Sequence, residues 1–98
     1  MPLNERTLSL IRKKAEEYKV KKLILFGSCL HNTEDEAGDI DLAAEMPEGG
    51  DICQFHGDLL LSSCGITEKN IDMVDLVSDT HMVPFVMEEG ILLYEAPE

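Results

Sequence analysis

The chain is expected to adopt an α/β (α+β) fold, with helices packed on one small mixed β-sheet. Three features point there. Apolar positions recur at helical spacing near the N-terminus and again in the middle of the chain. Short runs rich in Ile, Leu and Val lie between and after those stretches, each of strand length. Helical and strand patterns alternate, which favours helices layered on a single sheet. With 98 residues there is material for one domain, spanning residues 1–98, with a small core.

The elements follow in order. Leu8, Ile11, Ala15 and Tyr18 make one stripe, so residues 4–19 read as a helix. Asn4 is placed to cap it, Glu5 suits its first turn, and Arg12, Lys13 and Lys14 lie off the stripe. Residues 22–26 read as the first strand, and a short helix starts at Ser28. The segment His31–Gly38 is polar and acidic and reads as an exposed loop. Residues 39–45 form the second strand, ended by Met46-Pro47-Glu48-Gly49-Gly50. Asp51 caps a helix over Ile52–Ser63 that stops at Gly65, with Ile52, Phe55, Leu59 and Leu60 on its buried side. Residues 70–77 form the third strand. A last helix starts at Asp79 or Thr80 and runs to Glu89, where Gly90 ends it; Pro84 lies inside this segment, tolerable near the first turn and shortening the helix if it falls later. Residues 91–95 form the fourth strand.

Charge narrows the function. The net charge is −12, and seven of the eight basic residues lie within the first 22 positions. From Leu23 to Glu68 there is no Lys or Arg but ten Asp and Glu. Nucleic-acid binding rests on neutralising phosphates, so this balance argues against it. It fits a metal site and a basic partner surface. No apolar run is long enough for a transmembrane helix, and the first residues do not resemble a signal peptide, so no membrane role is expected. Cys29, Cys53 and Cys64 form no C-x-x-C pair and read as free thiols of a cytoplasmic protein. Cys53 with His56 supplies only two ligands, too few for zinc. His56 and His81 read as ordinary helix residues.

The chemistry concentrates in one motif. Gly27-Ser28 follows the apolar run Leu23-Ile24-Leu25-Phe26, and after ten further residues comes Asp39-Ile40-Asp41. Alternate side chains of a strand share a face, so Asp39 and Asp41 point the same way. Two adjacent carboxylates repel unless a cation lies between them, and hard divalent ions such as Mg²⁺ take such oxygen ligands. Gly27 permits a tight turn, and Ser28 then stands where free N–H groups attract phosphate. Phosphate cradle plus metal dyad equips a site for phosphoryl or nucleotidyl transfer. A further carboxylate is offered by Ile71-Asp72-Met73-Val74-Asp75-Leu76-Val77. Asp72 and Asp75 are three apart and face opposite sides, so only one can join the dyad.

Gly-Ser, ten residues and Asp-x-Asp resemble the signature of the polymerase-β-like nucleotidyltransferases. The shortness of the chain and its ending, Glu89-Gly90-Ile91-Leu92-Leu93-Tyr94, resemble the minimal nucleotidyltransferase (MNT) group within them. The resemblance runs from about Leu8 to Tyr94. It implies a polymerase-β palm-like fold, two divalent ions held by Asp39, Asp41 and a third carboxylate, ATP as substrate, and AMP transfer to a hydroxyl. Distance to the terminal Leu-Tyr selects Asp72 as that third carboxylate. Gly27 and Ser28 would hold the triphosphate. The resemblance also implies a helical HEPN-type partner, the toxin of a toxin–antitoxin pair, in a hetero-oligomer with this chain as antitoxin. The chain departs from the family in the loop after Gly27-Ser28, where Cys29-Leu30-His31-Asn32 stand in place of arginines. The remaining cations for a triphosphate are His31, Lys21, Lys22 and Lys69. That departure favours an alternative, a weak or inactive antitoxin that neutralises its partner by contact alone. An aminoglycoside-type adenylyltransferase would need a second domain to wall its substrate.

Overall fold

The computed structural model describes residues 1–97. Its element order is α1 (Glu5–Glu17), β1 (Lys22–Phe26), a 3₁₀ turn (Gly27–Leu30), β2 (Asp39–Glu45), α2 (Ile52–Ser63), β3 (Asn70–Asp75), a second 3₁₀ turn (Thr80–Met82), α3 (Val83–Glu89) and β4 (Ile91–Glu95). The four strands form one mixed sheet in the order β3-β2-β1-β4. β1 pairs antiparallel with β2 and β4, and β2 pairs parallel with β3 across the α2 crossover. This is the expected mixed sheet with helices packed on it.

Strand alternation divides the core. Leu23, Leu25, Ile40, Leu42 and Ile71 join Ile11 and Ala15 of α1 and Phe55 and Leu59 of α2 in the larger cluster. The opposite face carries Ile24, Phe26 and Ala43, covered by Val86 of α3. Because α3 is only 7 residues long, it covers only part of that second face. Each edge strand lends one carbonyl to a helix side chain. Arg12 Nε donates to Leu93 O at 3.0 Å, and His56 Nε2 lies 2.6 Å from Ile71 O, which as a carbonyl oxygen can only accept, so Nε2–H donates. Such tethers occupy edges that would otherwise pair with other chains. His56 is a residue of α2, as expected, and ties that helix to β3.

Four expectations need correction. Asn4 occupies the position before α1, but its side chain makes no capping bond. The cap comes from Glu34, whose carboxylate accepts from Asn4 N–H at 2.9 Å and from Thr7 Oγ1–H at 2.9 Å. The segment His31–Gly38 is consequently not exposed throughout: Glu34 and Ala37 are buried, 2% and 3% accessible. Leu60 is exposed rather than buried, because the inward row of α2 runs Phe55, Leu59, Ser63 at strict i, i+4 spacing. β3 ends at Asp75, two residues early, since Asp75 Oδ1 accepts from Val77 N–H at 2.9 Å and turns the chain.

Candidate functional site

The C-terminal end of β1, the N-terminal ends of β2 and β3, and the turn after β1 meet at one end of the sheet. Phe26 stands opposite Asp41 across the antiparallel pair, and Asp41 stands beside Asp72 across the parallel pair. Paired residues share a face, so Phe26, Asp41 and Asp72 form a row across three strands. Asp39 lies two residues before Asp41 on the same strand and pairs with Asn70. Asp75 stands on the other face, with Met73, in a cleft beside Ile52 and Cys53 of α2. The alternation places Asp72, and not Asp75, next to the dyad.

The turn is fitted to Asp41. Gly27 has φ +79°, a conformation that L side chains avoid, and a methyl group there would run into the Asp41 carboxylate. The Ser28 backbone amide acts on that carboxylate to favour its ionised form. Ser28 Oγ–H donates to Asp39 O at 3.3 Å, and Asn32 Nδ2–H to Ser28 O at 3.0 Å. The turn therefore rests against both aspartates while Ser28 stays exposed.

Burial first, then the charges of Asp72 and Asp39, hold the Asp41 carboxyl above its usual range, and the Ser28 amide offsets part of this. None of the ion pairs among the described residues involves Asp39, Asp41 or Asp72. Negative charge is thus concentrated here with no ion pair among the described residues to balance it. The donors are all carboxylate oxygens, the chemistry suited to a hard divalent ion. Among the described residues, no three His, Cys, Asp or Glu side chains are drawn tightly enough to form a closed ligand set. The residues fit such an ion in kind and in charge, and two of the three carboxylates, Asp39 and Asp41, are half-buried while Asp72 is exposed.

The cations do not converge on the site. Lys21 and Lys22 lie at the far end of β1, where they pair with Glu45 and Glu95 at 3.9 Å each. Lys69 precedes Asn70 and donates to Asp35 O at 3.2 Å. His31 lies 3.3 Å from Glu89, joining the end of the 3₁₀ turn to α3. Sequence reasoning missed Glu34, which fixes the loop leading into Asp39. Its only sequence signal was a carboxylate near the apolar Ala37.

Residues 9–98 match the family described as polymerase beta, nucleotidyltransferase. Among curated proteins there is no significant match. Solved structures share the fold. A toxin–antitoxin complex with AMP-PNP contains a chain 23% identical with TM-score 0.68, the alignment covering 91% of this chain and 73% of that one. A MntA–HepT toxin–antitoxin mutant gives 22% identity and TM-score 0.69, covering 91% and 73%. A tri-AMPylated Shewanella oneidensis HEPN toxin in complex with MNT antitoxin gives 24% and TM-score 0.65, covering 92% and 71%. Among the described residues, no helix is long and apolar enough to cross a membrane.

Proposed function

The chain belongs to the polymerase beta nucleotidyltransferase family, and on that premise we propose that it transfers AMP from ATP to a hydroxyl on a partner protein. The observation that carries this is the row of Asp41 and Asp72 beside Asp39, set against the Gly27-Ser28 turn. Asp39, Asp41 and Asp72 would hold divalent ions of the Mg²⁺ kind, two by resemblance to the family. When bound, such ions offset charge building on the α-phosphate and the leaving pyrophosphate and favour the ionised acceptor oxygen. Ser28 hydroxyl and backbone N–H, with Gly27, would orient the triphosphate for attack. Asp72 would stand closest to the incoming hydroxyl, being the exposed member of the row. Among the described residues no second wall faces the site, which leaves room for a partner protein to present the acceptor.

The fold neighbours support that choice of partner, since one is an AMPylated HEPN toxin bound to an MNT antitoxin. The partner would be a HEPN-type helical protein, bound in a hetero-oligomer in the cytoplasm, and a basic surface on it would suit the 46 residues of this chain from Leu23 to Glu68, which carry no Lys or Arg. A second reading, a binding module without activity, is favoured by the absence of arginine after Ser28 and by the loose carboxylates. Incubation with labelled ATP, Mg²⁺ and the protein encoded beside it separates the two. Label on the partner, lost in Asp39→Asn and Asp72→Asn but kept in Asp75→Asn, is expected. No label, with a complex that survives Asp39→Asn, would establish the binding module.

A further inference from the structure

We infer that Phe85 is the platform on which the nucleobase of the bound nucleotide stacks; this rests on the nucleotidyl-transfer reading above. The chain has three Phe, and two of them, Phe26 and Phe55, are buried at 7% and 0% accessibility. Phe85 is 60% exposed. Exposed hydrophobes are ordinary on a protein surface, and Met87 of the same helix and Leu92 of β4 are exposed as well. Phe85 is distinguished by its position. Its ring packs edge-on against Phe26, with centroids 6.1 Å apart and planes at 90°. Phe26 is the residue opposite Asp41 and is followed directly by the Gly27-Ser28 turn.

The segment Phe26-Gly27-Ser28 therefore joins an exposed aromatic ring to the phosphate cradle. Paired side chains on one sheet face stand about 5 Å apart at Cβ. Adding the step from Phe26 to Phe85 puts that ring on the order of 10 Å from the Asp41 carboxylate. A ribose spans such a gap between an α-phosphate at the carboxylates and a base at the ring. Pro84 restricts the backbone just before the ring, and Val86 just after it is fully buried. The platform is thus held from both sides while the ring stays in water. His31 and Glu89, at 3.3 Å, further tie the cradle turn to the helix carrying Phe85. Stacking accepts any base and needs no basic side chain, which suits a site whose own cations lie elsewhere.

The test compares two ligands that share a phosphate chain and differ in having a base. Calorimetry in Mn²⁺ would measure ATP and inorganic triphosphate binding to the wild type, Phe85→Ala and Phe85→Tyr. The expected result is an ATP affinity about tenfold weaker in Phe85→Ala, unchanged triphosphate affinity, and wild-type behaviour in Phe85→Tyr. An equal change for both ligands, or none for ATP, would overturn the inference while leaving nucleotidyl transfer standing. So would a Phe85→Ala variant that binds ATP normally but loses its partner protein, since the ring would then be a protein contact. Binding of neither ligand by the wild type would refute the nucleotide reading itself, and the platform with it.

Discussion

Replacing Gly27 by alanine tests whether the turn and the carboxylates are one unit. The φ of +79° at Gly27 would cost an alanine about 1–2 kcal/mol. Gly65 has nearly the same φ, +83°, with nothing within 4 Å of where a methyl would go. Gly65→Ala therefore measures the backbone cost alone, about 1–2 kcal/mol. At Gly27 the new methyl would also lie 3.0 Å from Asp41 Cγ and overlap the carboxylate oxygen. Asp41 must turn away. An off-rotamer Asp41 side chain adds on the order of 1 kcal/mol. Relief of repulsion from Asp72 and Asp39 trims this toward the lower end. The expected loss is about 2–3 kcal/mol for Gly27→Ala, roughly 1 kcal/mol beyond the control. Urea titration of both variants, alongside Mn²⁺ binding, gives the answer. Gly65→Ala should bind Mn²⁺ as the wild type does, and Gly27→Ala should not. Equal destabilisation of the two variants, with binding retained in both, would show that Asp41 accommodates the methyl without leaving its place.

Three further perturbations have defined outcomes. Asp41→Asn should raise the melting temperature at neutral pH while abolishing transfer: burial and the neighbouring carboxylates raise the folded-state pKa, so the fold loses stability as pH rises through that range, and the variant's advantage should fade in acid, where the wild-type carboxyl is protonated folded or unfolded. Glu34→Ala should leave the Thr7 hydroxyl buried and unpaired and cost about 2–3 kcal/mol by thermal or urea melts, with Glu34→Gln costing about 1 kcal/mol. The Asp58 carboxyl is held below its usual range, first by the Tyr18 hydroxyl at 2.7 Å, so its stabilisation is present at neutral pH and lost as pH falls through that lowered range; Tyr18→Phe should flatten the acid limb of the stability–pH profile.

What could be read from the residues alone follows from where their partners lie. β1 and β2 were legible because Leu23-Ile24-Leu25-Phe26 and Ile40-Asp41-Leu42 carry their own patterns, and the period of two already placed Asp39 with Asp41. The same period separated Asp72 from Asp75, and the parallel register then set Asp72 beside Asp41. Glu34 was not legible, because its burial is decided by the first turn of α1, 27 residues away at Thr7. Leu60 was misread because several apolar residues crowd one turn of α2, and only packing against the sheet selects Phe55 and Leu59. The location of Lys21 and Lys22 depended on which end of β1 the turn occupies. With the strand running from Lys22 to Phe26, the lysines are carried to the end remote from the aspartates.

The strand order has a consequence for when the site can exist. β1 lies between β2 and β4, and Asp72 reaches Asp41 only after α2 has carried the chain across to β3. Gly27 directly follows Phe26, the residue opposite Asp41 in the antiparallel pair, so half of the constellation forms with local pairing. The other half waits on a contact 31 residues distant, and the central strand gains its second neighbour only from Ile91–Glu95. Contacts of such separation form late in folding. Nascent or partly opened chains would therefore carry a cradle and a dyad without the third carboxylate. A ligand that bridges β2 and β3 binds the closed sheet alone, and so holds together the very pairing that creates its own seat.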